Sequence, residues 1–461
     1  MPSEKMSEQY HTAPEGGAQP VPHTGGDPAL ERYETRPAFE VRLMGRGKRT
    51  AKRGVQRLLR LAIGLAGWLT RTRPDTPALT PGNPAVRRIL VTRVDLLGDV
   101  VLSLPAVRAL RRAYPDAQVH MLVLGATAPI LAADPAVDRV LTFDPYFWRT
   151  PAALLRPATW RAARTFLRTL RAARYELALS VSGDIASILV RLSGARRRVG
   201  YAAEAYPFLL TDPVAGGRYR THKHEVRYVQ ALAQAAGGIV APGDELLSLA
   251  VVPEAARSVA ALLGRERHRL GRRGPLVAIH PGARNGQAKR WPPASIAALA
   301  DRLVRELDAL VVLTGAPSEK SLAGAVLAHA TAPLANLVGR TTVPELAALL
   351  AASDLLVTGD SGPMHIACAL RTPVVALHGP TDPAISGPTA PDAIVLRRDL
   401  WCAPCYDASA TAECRFHNPV CMKSIAPDTV FAAARAQLHK RDQTATTKAA
   451  RHARLTPQSH P

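Results

Sequence analysis

From Arg88 to about Gly238 the chain alternates short apolar runs with stretches whose apolar residues recur at helical spacing. The runs are Ile89–Val94, Gln118–Leu124, Arg139–Phe143 and Leu177–Val181, with helical patterns such as Ala106–Ala113 and Trp160–Ala173 between them. Strands alternating with helices predict a parallel, doubly wound sheet whose right-handed crossovers place helices on both faces. After a stretch rich in Ala, Gly and Pro, the pattern restarts at Leu276–Gly282 and repeats through Leu310–Gly315, Leu355–Thr358 and Val374–Gly379. The expected class is therefore α/β, with two such units.

Two strand ends carry tight glycine turns that open helices. Thr92-Arg93 runs into Leu96-Leu97-Gly98-Asp99, and Leu355–Thr358 into Gly359-Asp360-Ser361-Gly362-Pro363-Met364-His365. Pro281-Gly282 closes a third strand. A helix start presents backbone N–H groups that suit an anion, and open sheets of this class bind ligands beyond the carboxyl ends of their strands. The spacing predicts a two-lobed enzyme with its site in a cleft.

Each motif has two readings from its residues. Asp99, projecting from a strand end, suits a general base toward a bound hydroxyl, or caps the helix N-terminus without any chemistry. Gly359–Gly362 with His365 supplies turn freedom, a hydroxyl and amides for a diphosphate, or an Asx turn capping a buried helix. Lys289-Arg290-Trp291-Pro292, just after Pro281-Gly282-Ala283-Arg284, offers cations for a departing diphosphate, or is an exposed basic loop anchored by Trp291. His222, His224 and Glu225 have metal-compatible spacing without a complete ligand set, so no metal is expected there. An Asp-x-Asp pair that would hold a divalent cation against a diphosphate is also missing from any suitable loop. Cys402, Cys405, Cys414 and Cys421 form a C-x2-C-x8-C-x6-C cluster that tetrahedral zinc or reduced packing thiols would both explain, while Cys368 stands apart.

Charge changes the picture less than its size suggests. The 461-residue chain carries a formal +22, but Val41–Pro74 alone holds ten cations and no acid, and the tail from His439 is basic too. No helix-turn-helix, finger or aromatic RNA motif accompanies it, so nucleic acid is not an expected partner. Neither glycine turn spells G-x-G-x-x-G with a placed acid, which weakens a nucleotide-dependent oxidoreductase. The N-terminus lacks the basic start and apolar core of a signal peptide, so the protein is expected to stay in the cytoplasm. Leu58–Leu69 is too short to span a bilayer; flanked by Arg53, Arg57, Arg71 and Arg73 and carrying Trp68, it fits an interfacial helix on an anionic membrane, or a basic helix that packs or stays solvated.

Taken together, RILVTRVDLLGDVVLSLPAVRALRRAYPDA, LSGARRRVGY, VAIHPGARNGQAKRWPPASIAALADRL and GDSGPMHIACALRTPVVALHGPTDP resemble glycosyltransferase family 9, the ADP-heptose:lipopolysaccharide heptosyltransferases. The resemblance covers about Arg88–Lys440. It implies a GT-B fold, two Rossmann-like domains facing a cleft, and inverting transfer that needs no metal or other cofactor. By the same resemblance Asp99 is the base, with Arg93 and Gly98 on the acceptor side. Lys289 compensates the leaving diphosphate, and Ala283, Arg284, Glu319, Asp360, Ser361, Gly362 and His365 line the donor, Glu319 toward its ribose. Ser361 stands where the family most often has Thr, which keeps the hydroxyl. The implied partners are a nucleotide sugar, ADP-heptose first, and a lipid-linked saccharide at the cytoplasmic face of the inner membrane. Another sugar or acceptor is the alternative, because the four-cysteine segment is unlike the best-known lipopolysaccharide-core enzymes. The expected layout is a disordered basic extension over 1–84, an acceptor-side domain over 85–240, an interdomain segment over 241–270, a donor domain over 271–440 and a basic tail over 441–461.

Overall fold

The structure of the protein is a computed structural model that describes residues 19–20, 80–144, 156–181, 183–204, 206–217, 223–284, 286–406 and 413–455. The segment Leu58–Leu69, read above as interfacial, lies outside the described residues, as does His222. Within the expected N-terminal extension, Gln19–Pro20 forms a two-residue strand, β1. Residues 80–84 lead into the first domain, where the Gly82 N–H donates to the Ala113 carbonyl.

The first unit comprises β2 (Arg88–Arg93), α1 (Leu97–Ala113), β3 (Gln118–Leu124), β4 (Arg139–Phe143), α2 (Pro157–Ala172), β5 (Leu177–Ser180), α3 (Gly183–Leu192), β6 (Arg197–Tyr201), β7 (Asp212–Val214) and α4 (Glu225–Ala235). Its sheet runs β4-β3-β2-β5-β6-β7 with every pairing parallel. Because strand side chains alternate, β2 feeds both faces. Ile89 and Val91 join the cluster that holds α1 and α4, while Leu90 joins the one that holds Leu170 of α2 and Val190 of α3.

The second unit comprises α5 (Pro253–Leu270), β8 (Leu276–His280), α6 (Pro293–Leu307), β9 (Leu310–Leu313), α7 (Lys320–His329), β10 (Ala335–Asn336), α8 (Val343–Ala352), β11 (Leu355–Gly359), α9 (Gly362–Ala369), β12 (Val374–His378), α10 (Pro383–Ser386), β13 (Ile394–Arg397), α11 (Val420–Lys423) and α12 (Pro427–Leu455). Its sheet runs β1-β13-β12-β11-β8-β9-β10, again parallel. Part of the segment expected between the domains is α5, whose Ala255, Val259 and Leu263 join one buried cluster with Leu310, Leu337 and Leu349. The boundary expected at 440 falls inside α12.

Strand order locates the ligand ends. In the first sheet the chain winds outward from β2 through β3 and β4, then resumes on the other side of β2 with β5. In the second it leaves β8 through β9 and β10 and resumes with β11 on β8's other side. Each reversal opens a crevice beyond the strand carboxyl ends. Arg93–Asp99 lies at the first crevice; Pro281-Gly282 and Gly359-Asp360 lie at the second.

Candidate functional site

Asp99 sits in the first turn of α1 but does not cap it. The cap position is Leu96, whose side chain makes no capping bond and whose N–H donates to Asp95 Oδ1 at 2.9 Å. Instead Asp99 Oδ1 accepts from Arg93 Nη2 at 2.8 Å, and the same nitrogen donates to Glu225 Oε1 at 2.8 Å. Asp95 Oδ2 is 3.7 Å away. Arg93 is fully buried and Glu225 nearly so, whereas 16% of the Asp99 side chain stays accessible. A buried guanidinium thus ties the exit of β2, the start of α1 and the first residue of α4, leaving the Asp99 carboxylate facing the cleft. His224 caps α4, its Nδ1 accepting from the Val226 N–H, and its Nε2 lies 3.1 Å from the Gly387 carbonyl of the second unit.

On the opposite wall, Gly359–His365 forms the turn from β11 into α9. Thr358 and Ser361 hydroxyls are 2.8 Å apart, and the Ser361 side chain does not cap α9. Asp360 does not cap it either: its Oδ2 accepts from Lys289 Nζ at 3.3 Å. Burial would raise the Asp360 carboxyl, but Lys289, His378 and His365 outweigh it and hold it below the usual carboxylate range. Lys289 ends a short 3-10 turn, Gln287–Lys289, and its ammonium lies 5.1 Å from the Tyr406 ring centre. Trp291 is buried with Nε1–H donated to the Ile425 carbonyl at 3.0 Å, so the basic loop is anchored and its lysine is held inward. A small cavity lies between these groups, lined by His280, Pro281, Lys289, Trp291, Thr358 and Gly359 among others.

Glu319 approaches the end of β8. A Cβ at Gly282 would fall within 1.7 Å of Glu319 Oε1, and one at Gly315 within 2.7 Å of Oε2. Only glycine lets that carboxylate lie over both strand ends. Oε2 also accepts from the Ala316 N–H at 2.8 Å. Ala283 is buried beside this group, while Arg284 is exposed and outside it.

The two walls meet at two glycines. A Cβ at Gly98 would stand 2.8 Å from His365 Cδ2 and 3.1 Å from Gly362 Cα, and one at Gly362 would stand 3.2 Å from the Gly98 nitrogen. The turn that carries Asp99 therefore touches the turn that opens α9. His365 is buried and its Nδ1 has no hydrogen-bond partner. Burial, partly opposed by Asp360, pushes its pKa down to about 4, so it is a neutral imidazole near pH 7.

The structure thus gathers Arg93, Gly98, Asp99, Lys289, Asp360, Ser361, Gly362 and His365 around one cleft, with Ala283 and Glu319 beside it. Sequence reasoning missed His378, fully buried at the end of β12 with its Nε2 unpartnered. The signal was available, because His378-Gly379 closes an apolar strand much as His280-Pro281-Gly282 does. It also missed the role of Glu225, which was read only as a metal-compatible side chain. Among the described residues no three His, Cys, Asp or Glu side chains are grouped to hold a metal ion. Cys402, Cys405, Cys414 and Cys421 are not joined in disulfides and lie within electrostatic reach of one another, and burial followed by its three neighbours pushes Cys421 up to about 12.

Comparison with known proteins shows what the chain resembles. Glycosyltransferase family 9 (heptosyltransferase) matches residues 163–415. Lipopolysaccharide heptosyltransferase 2 of Escherichia coli (strain K12) is 30% identical over 325 residues, 67% of this chain and 88% of that one. Lipopolysaccharide heptosyltransferase 1 of Pseudomonas aeruginosa is 28% identical over 337 residues, 70% of this chain and 87% of its own. The solved E. coli ADP-heptose lipopolysaccharide heptosyltransferase II superposes with a TM-score of 0.61 at 25% identity, covering 77% of this chain and 99% of that one. A Veillonella parvula member of glycosyltransferase family 9 superposes at 0.63 and 21% identity, over 77% of this chain and 97% of its own, and shows the fold alone. The two parallel sheets are those of a GT-B fold.

Proposed function

From the premise that this chain belongs to glycosyltransferase family 9, and is therefore an enzyme that transfers a sugar, we propose that it moves heptose from ADP-heptose onto a lipopolysaccharide core or a related lipid-linked saccharide. Transfer is inverting and independent of a divalent cation. The observation that carries the reading is the contact of Gly98 with Gly362 and His365, which sets a carboxylate from one unit against the helix-opening turn of the other.

Asp99 removes the proton of an acceptor hydroxyl as that oxygen attacks the anomeric carbon. The bond from that carbon to the diphosphate breaks, and the electron pair leaves with ADP. One displacement with one base inverts the centre. Lys289 and the amides at the start of α9 lie where negative charge grows on the leaving group. Asp360 holds Lys289 in place before the donor arrives. Neutral His365 acts as a hydrogen-bonding group there and not as a cation. Glu319, over Gly282 and Gly315, accepts from the ribose hydroxyls of the donor, and Arg93 orients Asp99. Among the described residues no helix is long and apolar enough to cross a membrane; a lipid-linked acceptor would be met at the cytoplasmic face by peripheral association.

Calorimetry with ADP-heptose, ADP-hexoses and UDP-hexoses on wild type and on Asp360→Ala tests the reading. Selective ADP-heptose binding that Asp360→Ala abolishes supports it. Preference for another nucleotide sugar reassigns the donor within the same mechanism, and binding of none contradicts the donor reading. Loss of transfer on adding a chelator would overturn the cation-independent step.

A further inference from the structure

Among the described residues, helix α2 packs on the first sheet through one face. Thr159, Ala163 and Leu170 are its buried residues, and the Phe166 ring packs 5.4 Å from Phe143 of β4. Arg161, Arg164, Arg168 and Arg171 recur at i, i+3, i+7 and i+10, which at 100° per residue puts them in one stripe on the opposite side. All four are exposed, as are Arg156 just before the helix and Arg174 just after it. No acid interrupts the sequence from Arg156 to Arg174. Arg171 Nε donates to the Leu192 carbonyl at 3.1 Å, a neutral partner that leaves its charge uncompensated. A helix of 16 residues without a single acid in its polar stripe is not the mixed-sign surface that solubility alone favours.

Two further features select a partner. Trp160 is 49% exposed, one of two large hydrophobic side chains so exposed among the described residues; it adjoins the arginine stripe near the helix N-terminus. A planar amphipathic ring beside a row of arginines matches the headgroup region of a bilayer. Topology then fixes the direction. α2 follows β4 and returns to β5 antiparallel to the strands, so its Trp160 end lies level with the strand carboxyl ends, where Asp99 faces the cleft. The stripe from Arg161 to Arg171 is ~15 Å long and straight, which suits a flat surface.

We propose that the arginine face of α2 seats the enzyme on an anionic phospholipid bilayer, with Trp160 at the headgroup level and the strand carboxyl ends level with it. The proposal rests on the reading of the acceptor as lipid-linked, and adds the surface that would present the cleft to it. Each arginine near an anionic surface strengthens binding roughly fivefold.

The test is sedimentation of the full chain with phosphatidylcholine vesicles and with vesicles containing phosphatidylglycerol, without donor or acceptor. Three variants are compared with wild type: Arg161→Glu/Arg164→Glu/Arg168→Glu, the milder Arg161→Gln/Arg164→Gln/Arg168→Gln, and Arg53→Gln/Arg57→Gln/Arg71→Gln/Arg73→Gln in the N-terminal segment. The expected result is salt-sensitive binding to the anionic vesicles alone, weakened at least tenfold in both α2 variants, with calorimetric ADP-heptose binding unchanged. Binding that survives both α2 variants, that is lost only in the N-terminal variant, or that neutral vesicles support equally would overturn the proposal. So would double-stranded DNA competing as well as anionic vesicles at equal phosphate, since that marks a general polyanion surface. Failure of the donor reading is separable, because it would remove nucleotide-sugar binding while vesicle binding remained.

Discussion

Glu225→Ala removes a carboxylate that reaches the cleft through Arg93, and the account gives it a large effect. Arg93 is completely buried, with one nitrogen 2.8 Å from both Asp99 and Glu225. Deleting one partner of a buried ion pair costs 3–5 kcal/mol, because the remaining charge stays desolvated. Asp99 and the more distant Asp95 remain, which points to the lower end, about 3 kcal/mol. For a domain of this size that is a drop in Tm of roughly 6–12 °C. Activity should fall as well. Without Glu225 the guanidinium is drawn toward Asp99, and a carboxylate displaced by an ångström can cost roughly a hundredfold in rate. Thermal unfolding and initial-rate assays read the two effects. Arg93→Met/Glu225→Leu separates them: an apolar pair of similar volume should recover stability without recovering transfer. A Glu225→Ala protein that melts within a degree of wild type and keeps its kcat would refute the reasoning.

The same geometry predicts two further outcomes. Gly98→Ala places a Cβ 2.8 Å from His365 and 3.1 Å from Gly362 Cα, forcing the walls apart; overpacking of this kind costs about 1–3 kcal/mol, and kcat should fall much more than donor affinity, whereas equal losses in both would count against direct contact of the two turns. His365 has a pKa of about 4 in the folded chain against 6.5 normally, so the unfolded state binds its proton first and stability falls with pH between 6.5 and 4. Wyman linkage makes that loss roughly 3 kcal/mol for His365, while His224, His280 and His378, also lowered chiefly by burial, act in the same direction; a melting temperature flat from pH 7 to pH 4.5 would contradict the buried neutral imidazoles.

Much of this was legible because the strands that build the site are long apolar runs ended by glycine or histidine. Gln118–Leu124 and Arg139–Phe143 are strands with the bounds read from the sequence. Arg197–Tyr201 and Asp212–Val214 escaped because they carry charge or proline where the pattern looks for apolar residues, and Ile394–Arg397 because its apolar run ends after Leu396 at Arg397. The turn from Gly359 to His365 was legible as a motif, since glycine turns and a helix start are local. The clamp on Arg93 was not, because its second carboxylate lies 132 residues away and only the packing of α4 on α1 brings it in. The ambiguity of Asp99 had the same origin: spacing cannot tell a cap from a projecting carboxylate, whereas the position of Leu96 and the reach of Arg93 can.

The most direct test of the central claim is the rate of sugar transfer by Asp99→Asn, with donor binding measured on the same sample. Asparagine keeps the shape and removes the base. The account predicts unchanged affinity for ADP-heptose and a kcat lower by roughly 10²–10⁴-fold, with inverted configuration in whatever product remains. Transfer at the wild-type rate would contradict it, because proton removal would then belong to another group.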